Sequence, residues 1–185
     1  MNKMIYTPPD DMPKRLKILW RTHKPVKTLA EASEAMGMKS QYFGQLCNGR
    51  SLCTVESVLK IAAFFDVLPT EIDPNFPVWA MHTRNAGDTV IMPMEAYTPS
   101  DTTLQRVQAL WTAHKDTGET LETTAPLLGL AVVTLSHYLT GRNYINVEFV
   151  LKFATLMGVH PQDIDAQFPA HFLVSVQSIP APKGG

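Results

Sequence analysis

Apolar residues recur at helical spacing in the N-terminal part of the chain. The segment Asp10-Asp11-Met12-Pro13 combines acidic residues with an early proline, which predicts the start of a helix. The apolar face of this helix is formed by Leu16, Ile18, Leu19 and Trp20. The pattern predicts further helices at 28–36, 40–47 and Val55–Phe65, and a short helical turn at Pro69–Ile72.

The same pattern occurs a second time along the chain. Tyr6-Thr7-Pro8-Pro9-Asp10 returns as Tyr97-Thr98-Pro99-Ser100-Asp101, at an offset of 91 residues. After one inserted residue the offset becomes 92, and Gly49-Arg50 then corresponds to Gly141-Arg142. Phe76-Pro77 corresponds to Phe168-Pro169. Nearly the whole chain is therefore one unit of about ninety residues, duplicated and then diverged.

The second copy repeats the helical plan of the first. A helix is predicted to begin at Asp101-Thr102, followed by helices at 121–128, Val132–Leu139, Val147–Met157 and Pro161–Ile164. Pro126 lies inside the predicted 121–128 helix and is expected to shorten or kink it. We therefore predict an all-α fold of two tandem five-helix domains, residues 1–92 and 93–185.

Two segments outside the predicted helices are rich in residues that favour strands, at 89–92 and 172–176. One interpretation is a small strand pair that links units or chains. The other is an extended linker and an extended tail. The Pro/Gly-rich stretch from about residue 178 onward is expected to be disordered.

Composition narrows the class of protein. Hydrophobic residues make up 45% of the 185 residues, which is enough for a core in each domain. No apolar run reaches the roughly 18 residues needed to span a bilayer, and no signal peptide is evident, so we expect a cytoplasmic protein. Both cysteines, Cys47 and Cys53, lie in copy one, where we expect buried or free thiols rather than a disulfide or a metal site.

The net charge of −1 conceals a division between the copies. From Pro13 to Pro77 there are nine Lys and Arg against six Asp and Glu, a balance of +3. From Ser100 to Ala170 there are four against seven, a balance of −3. Copy one is therefore the half that favours a polyanion.

The order helix, glycine, short turn, helix and Asn-Gly is that of a helix-turn-helix motif. In copy one it covers segment 32–50 (ASEAMGMKSQYFGQLCNGR), and the likeness continues through 58–62 and 67–72. Over most of each copy, the chain resembles the lambda repressor/Cro-like (XRE-type) family. The resemblance implies five-helix domains in a dimeric transcription regulator whose third helix enters the major groove of DNA.

The resemblance implies base contacts from the start of the third helix in copy one. Ser40 and Gln41 are the first exposed positions, and Gln45 lies one turn further on. Because Gln41 and Gln45 are spaced i and i+4, they are predicted to project from one face. Each carboxamide offers a donor and an acceptor, which match N6 and N7 of adenine. Tyr42 would pack or contact a phosphate.

Phosphate contacts are implied on either side of the same helix. Lys39 precedes it, and Asn48 and Arg50 follow it, at positions where the family contacts the DNA backbone. Lys27, near the start of the second helix, is a further candidate. These residues would set the register of the protein on DNA rather than read its sequence.

Copy two carries a different set of side chains at the matching positions. They read Ala131-Val132-Val133-Thr134, with His137 in place of Gln45. Thr134 and His137 are candidates for base contacts, and Arg142 and Asn143 for phosphate contacts. Since valines have no hydrogen bonds to offer, the pair suits either thymine methyl groups or a protein interface. Both interpretations remain open.

The leading hypothesis is a sequence-specific regulator that binds double-stranded DNA, of bacterial or phage type and most often a repressor, acting as a homodimer at the nucleoid. The alternative is a helix-turn-helix scaffold that binds a polymerase, toxin or regulator, with domain 2 as the interaction or dimerisation unit. The chain has no Gly-rich phosphate loop, no nucleophile signature and no cluster of metal ligands. We therefore expect no enzymatic activity, cofactor, metal or membrane partner.

Overall fold

A computed structural model describes residues 3–85 and 87–175, and this part of the chain is predominantly helical. Copy one contributes α1 (Met12–His23), α2 (Leu29–Ala35), α3 (Tyr42–Cys47), α4 (Val55–Phe65) and α5 (Pro69–Ile72). Copy two contributes α6 (Thr103–Lys115), α7 (Leu121–Thr124), α8 (Val132–Leu139), α9 (Val147–Met157) and α10 (Pro161–Ile164). Short 3₁₀ turns follow at Val78–Ala80 and Ala170–Phe172.

The predicted bounds of two helices, Val55–Phe65 and Val147–Met157, are confirmed at both ends. Helix α4 begins after Thr54, whose hydroxyl accepts a hydrogen bond from the N–H of Ser57 at 3.1 Å. Helix α9 begins after Asn146, whose side-chain oxygen accepts from the N–H of Phe149 at 2.8 Å. These caps satisfy N–H groups that the first helical turn leaves unpaired. Local polar residues therefore set where the two central helices start.

The described residues divide into two compact units, each built from three stretches of chain. The copy-one unit contains residues 6–76, 83–96 and 169–175. The copy-two unit contains residues 3–5, 77–82 and 97–168. Each unit thus combines the helices of one copy with two short segments that the sequence places before and after the other copy. We call these segments the exchanged segments.

The core of the copy-one unit is centred on α3 and α4. The fully buried rings and aliphatic chains come mainly from α1, α3 and α4: Leu16, Phe43, Leu46, Val58 and Ile61. Two exchanged segments add Met94 and Phe172, both also fully buried. Hydrophobic burial therefore holds these segments in the unit.

The core of the copy-two unit follows the same plan. Its fully buried side chains come from α6, α8, α9 and the segment after α10: Val107, Leu135, Val150, Leu151, Phe153 and Phe168. The exchanged segment 77–82 is held against α9, because the Thr155 hydroxyl donates to the carbonyl oxygen of Trp79 at 2.8 Å. The ammonium group of Lys152 lies 5.1 Å from the centre of the Trp79 ring.

Each unit repeats one polar anchor at the start of its copy, in which a tyrosine bonds a buried aspartate. The hydroxyl of Tyr6 donates to the carboxylate of Asp73 at 3.0 Å, and that of Tyr97 donates to Asp165 at 2.8 Å. Burial and these hydrogen bonds raise the pKa of both tyrosines. Both phenols therefore remain protonated donors near neutral pH.

Several predictions from the sequence need correction. Ile18 was predicted to lie on the apolar face of α1, but its side chain is 59% exposed. The face that packs on the core is formed instead by Leu16, Leu19 and Trp20. Of the two interpretations left open for 89–92 and 172–176, the strand pair is not found at 89–92. The strand-like pairing of the described residues is a single bridge between Thr83 and Val174. Residue 176 of the second predicted strand and the tail beyond it lie outside the described residues.

Helix α7 is shorter than the sequence pattern predicts. It ends at Thr124, two residues before Pro126. This is expected, because the ring of a proline clashes with the preceding turn of a helix. Helix α3 also starts later than predicted, at Tyr42 instead of residue 40. Among the described residues, no helix has the length and apolar character needed to cross a membrane.

Candidate nucleic-acid interface

The relation between α2 and α3 is fixed by one buried serine. The hydroxyl of Ser33 donates to the carbonyl oxygen of Leu29 at 2.9 Å and accepts from the N–H of Phe43 at 3.0 Å. Ser33 is fully buried, so both bonds are shielded from water. The start of α3, which carries the predicted base-contacting side chains, is therefore tied to the middle of α2.

The turn between α2 and α3 is covered by an exchanged segment. Gly37 has φ +63°, and a Cβ atom there would lie 1.5 Å from the carbonyl oxygen of Met94. The N–H of Met94 donates to the carbonyl oxygen of Ala35 at 3.0 Å. Only glycine fits this close approach at a left-handed backbone position. The polar surface that follows the turn is thus next to a tightly packed backbone contact.

The predicted contact residues surround α3, and most of them face solvent. Ser40 and Gln41 precede the helix, with Gln41 as its N-cap residue. The exposed members of the set are Lys39, Ser40, Gln41, Asn48 and Arg50, and Tyr42 and Gln45 are half-buried. Phe43 and Leu46 point into the core, as predicted. The structure therefore brings the predicted residues of copy one together on one surface.

Gln45 lies at the centre of this surface, where three shallow hollows meet. Its side-chain oxygen accepts a hydrogen bond from the hydroxyl of Ser51 at 3.2 Å. Gln41, by contrast, makes no side-chain cap hydrogen bond. The two glutamines, predicted to act alike, are therefore held differently. No local pattern predicts the Ser51 contact, because the two residues are joined through a loop.

Lys27 lies at the edge of the surface, just before α2. Thr28 caps this helix, since its hydroxyl accepts from the N–H of Glu31 at 3.1 Å. The Glu31 carboxylate in turn accepts from the N–H groups of Lys27 and Thr28. The Lys27 side chain is exposed. Its backbone is thus fixed while its ammonium group faces solvent.

A row of cations on α1 was missed as a candidate site. Lys14, Lys17, Arg21 and Lys24 follow the spacing i, i+3, i+7 and i+10, and all four are exposed. This spacing places them on one helix face, so we call them the cationic stripe. Lys17 is close enough to the end of α3 to lower the pKa of Cys47, although burial outweighs it and raises that pKa to about 11. The i, i+3, i+7 spacing was the signal that could have found the stripe.

The two thiols of copy one are free and buried, as expected. Burial raises the pKa of Cys53 to about 12. Cys47 and Cys53 therefore remain protonated near neutral pH, and they pack as small apolar groups at the end of α3 and before α4.

The matching surface in copy two is apolar. Val132 and Val133 are exposed at the start of α8, with 59% of Val133 accessible to solvent. Thr134 and His137 are half-buried, while Arg142 is exposed and Asn143 half-buried. The N–H groups of Arg142 and Asn143 both donate to the carbonyl oxygen of His137. The loop is thus ordered as in copy one, but it carries fewer polar groups.

A cleft between α3 and α4 carries several polar side chains in copy one. It has a volume of about 530 Å³ and is lined by Lys39, Tyr42, Gln45, Thr54, Glu56, Ser57 and Lys60, among others. The buried Lys60 ammonium group lies 3.5 Å from the Glu56 carboxylate. In copy two the matching pair, Lys152 and Glu148, is closer, at 2.7 Å.

Comparison with known proteins gives no relative for this chain. No protein-family model, no curated protein and no solved structure matches it.

Proposed function

We propose that the chain is a sequence-specific regulator that binds double-stranded DNA and reads it mainly with the residues around α3 of the copy-one unit. Repression through a homodimer is the form of regulation that the helix-turn-helix resemblance favours. In this proposal each copy supplies one helix-turn-helix domain, and Gln41 and Gln45 approach base edges in the major groove.

The observation that carries the proposal is the set of uncommitted polar side chains around α3. Within residues 3–85 and 87–175, no hydrogen bond or ion pair engages the side chains of Lys39, Ser40, Gln41, Asn48 or Arg50. Exposed cations position a protein on the phosphate backbone, and exposed carboxamides read bases. The cationic stripe supplies more positive charge on the same unit.

Copy two supports a second candidate function. Val132 and Val133 are exposed on α8, and the Ile5 side chain, 59% exposed, lies against Gly129 at the preceding turn. An exposed apolar patch of this kind is typical of a protein interface. Copy two would then bind a protein partner or a second chain, while copy one binds DNA.

In vitro selection from random duplex DNA tests the leading proposal. We expect the purified protein to enrich a defined motif and the Gln41→Ala/Gln45→Ala variant to lose it, because both carboxamides are removed. The matched control is Val133→Ala/His137→Ala, which changes the corresponding positions of copy two. A variant of copy one that enriches the wild-type motif unchanged would contradict the assignment of α3.

Salt dependence of duplex binding separates DNA binding from the protein-interaction alternative. The logarithm of the binding constant should fall with the logarithm of salt concentration, by roughly 0.9 per phosphate contacted. Neutralising the cationic stripe with Lys14→Gln, Lys17→Gln, Arg21→Gln and Lys24→Gln should make this slope shallower. Arg106→Gln/Lys115→Gln on α6 is the matched control and should leave it unchanged. Binding that is weak and insensitive to salt would favour the protein-interaction function.

A further inference from the structure

The two glutamines that face the proposed DNA surface differ in what they can offer a base. The Gln41 carboxamide makes no hydrogen bond at the N-cap, so its oxygen and its NH₂ group are both available. The Gln45 oxygen accepts the Ser51 hydroxyl at 3.2 Å in a partly buried position. That bond occupies one lone pair of the oxygen, whereas the NH₂ group makes no hydrogen bond within the described residues and is the fully available end of the amide.

This orientation has a direct chemical consequence in the major groove. A glutamine that reads adenine must present its oxygen to N6 and its NH₂ group to N7 together. Guanine presents two acceptors, N7 and O6, and thymine presents one, O4. An amide whose oxygen is already engaged and whose NH₂ group is free matches acceptors better than donors. Adenine would place its N6 donor beside the Gln45 donor.

We propose that Ser51 sets the base preference of Gln45 by holding its amide oxygen, so that Gln45 selects guanine first and thymine second, instead of adenine. This inference rests on the proposed function. Ser51 is a positioning residue here, because it acts through Gln45 and not by touching the base. It also lowers the entropy that the Gln45 side chain loses on binding, since one of its torsions is fixed beforehand.

The surroundings of the pair support this role. The N–H of Arg50 donates to the backbone carbonyl oxygen of Gln45 at 2.9 Å, which keeps the loop that carries Ser51 close to α3. The hydroxyl of Tyr42 lies 3.5 Å from the carbonyl oxygen of Leu52, on the next residue of that loop. The Ser51 hydroxyl is thus held by loop geometry at the level of the Gln45 amide.

The test compares wild type with Gln45→Ala, Ser51→Ala and Ser51→Thr. Selection with wild type and Gln45→Ala first identifies the base pair whose preference depends on Gln45. Affinity is then measured for four duplexes that differ only at that pair. We expect wild type and Ser51→Thr, which keeps the hydroxyl, to prefer guanine. Ser51→Ala should shift the ratio of adenine to guanine affinity toward adenine by roughly 2- to 12-fold, the value of one hydrogen bond.

The outcomes separate this inference from the proposal beneath it. If wild type enriches no duplex sequence, the proposed function and this inference fall together. If wild type enriches a motif but prefers adenine at the Gln45-dependent pair, or if Ser51→Ala leaves the base ratio unchanged, only this inference falls. A uniform loss of affinity for all four duplexes would assign Ser51 to a phosphate contact and would also overturn it. Side-chain amide resonances of Gln45 in free protein should shift in Ser51→Ala and stay near wild type in Ser51→Thr.

Discussion

Helices α3 and α8 occupy the same place in the two copies, yet they present opposite surfaces. Around α3 the exposed positions are polar or cationic, whereas α8 begins with two exposed valines. The scaffolds beneath them are alike, because each copy keeps a capped central helix and a hydrogen bond from a tyrosine to a buried aspartate. The helix caps and the tyrosine–aspartate bonds are therefore the same in both copies, whereas the exposed residues of α3 and α8 differ.

The interiors also diverge where the surfaces do. Ser57 of α4 borders the polar cleft, and its counterpart in α9 is Phe149. Phe149 stacks on Tyr138 with ring centres 4.1 Å apart and on Phe153 at 5.3 Å. Copy two thus fills with aromatic rings a region that copy one lines with hydroxyl and charged groups. The difference between the two copies therefore extends from the surface into the core.

The largest effect is expected from a substitution in the α2–α3 turn of copy one, which Met94 contacts. Gly37→Ala should cost about 4 kcal/mol or more, because its Cβ would lie 1.5 Å from the backbone carbonyl oxygen of Met94 and the left-handed φ adds strain. Denaturant unfolding measures the loss of stability.

Gly129→Ala is the matched control for that variant. Its φ is nearly the same, but the first atom its Cβ meets, at 2.8 Å, belongs to the flexible side chain of Ile5, and the carbonyl oxygen of Met4 is 3.0 Å away. We expect a smaller cost, roughly 1 to 3 kcal/mol. An equal loss of unfolding free energy in the two variants would show that the Met94 carbonyl does not clash with a side chain at position 37.

Acidification should affect the copy-one unit through His171. Burial, and then the nearby Lys60 ammonium group, lower the pKa of His171 from 6.5 to about 4. Lys60 is itself paired with Glu56. Between these two pKa values the unfolded chain binds a proton that the folded chain does not, so stability is lost as the pH falls from 6.5 to 4. The loss attributable to His171 should be roughly 3 kcal/mol.

The difference between wild type and His171→Phe isolates this contribution from other groups that titrate in acid. Unfolding free energies measured from pH 7.5 to 4 should diverge, with His171→Phe losing less stability than wild type. At the offset of 92 residues, His171 corresponds to Trp79, which lies in the copy-two unit. Trp79→Phe should therefore leave the pH dependence unchanged. Parallel curves for wild type and His171→Phe would refute the prediction.

A smaller loss of stability is expected when Ser33, which lies beneath α3, is replaced by the alanine that copy two has at this position. Ser33 corresponds to Ala125, and in copy two the N–H of Leu135 donates to the carbonyl oxygen of Ala131 instead. Ser33→Ala leaves the buried N–H of Phe43 without its acceptor, which should cost about 1 to 2 kcal/mol. Thermal unfolding of Ser33→Ala beside Ala125→Ser checks this. A larger loss from Ala125→Ser than from Ser33→Ala would contradict it.

The sequence predicts local features of this fold well. The bounds of α4 and α9 follow from polar caps next to long apolar stretches, and the shortening of α7 follows from Pro126. The clustering of Lys39, Gln41 and Arg50 follows from their spacing around one short helix. Each of these features depends on interactions within a few turns of chain, which is why pattern alone is enough.

Features that depend on distant residues could not be predicted in this way. The burial of Met94 against the α2–α3 turn joins residues far apart in sequence, and the pattern just before it predicts only a strand or an extended linker at 89–92. The Ser51 contact with Gln45 depends on how a loop returns to its helix. The exchanged segments follow no periodic pattern, because short extended stretches can pack against either copy.

The exchanged segments have a consequence for the order in which the protein is made. Residues 169–175 belong to the copy-one unit, and Phe172 is fully buried there, with its ring 5.7 Å from the Lys60 ammonium group. During synthesis, α1–α5 therefore emerge long before the segment that completes their core. Until that segment leaves the ribosome, the side of α4 that it covers remains exposed to water and to chaperones. The first copy to be translated is thus the last to be finished.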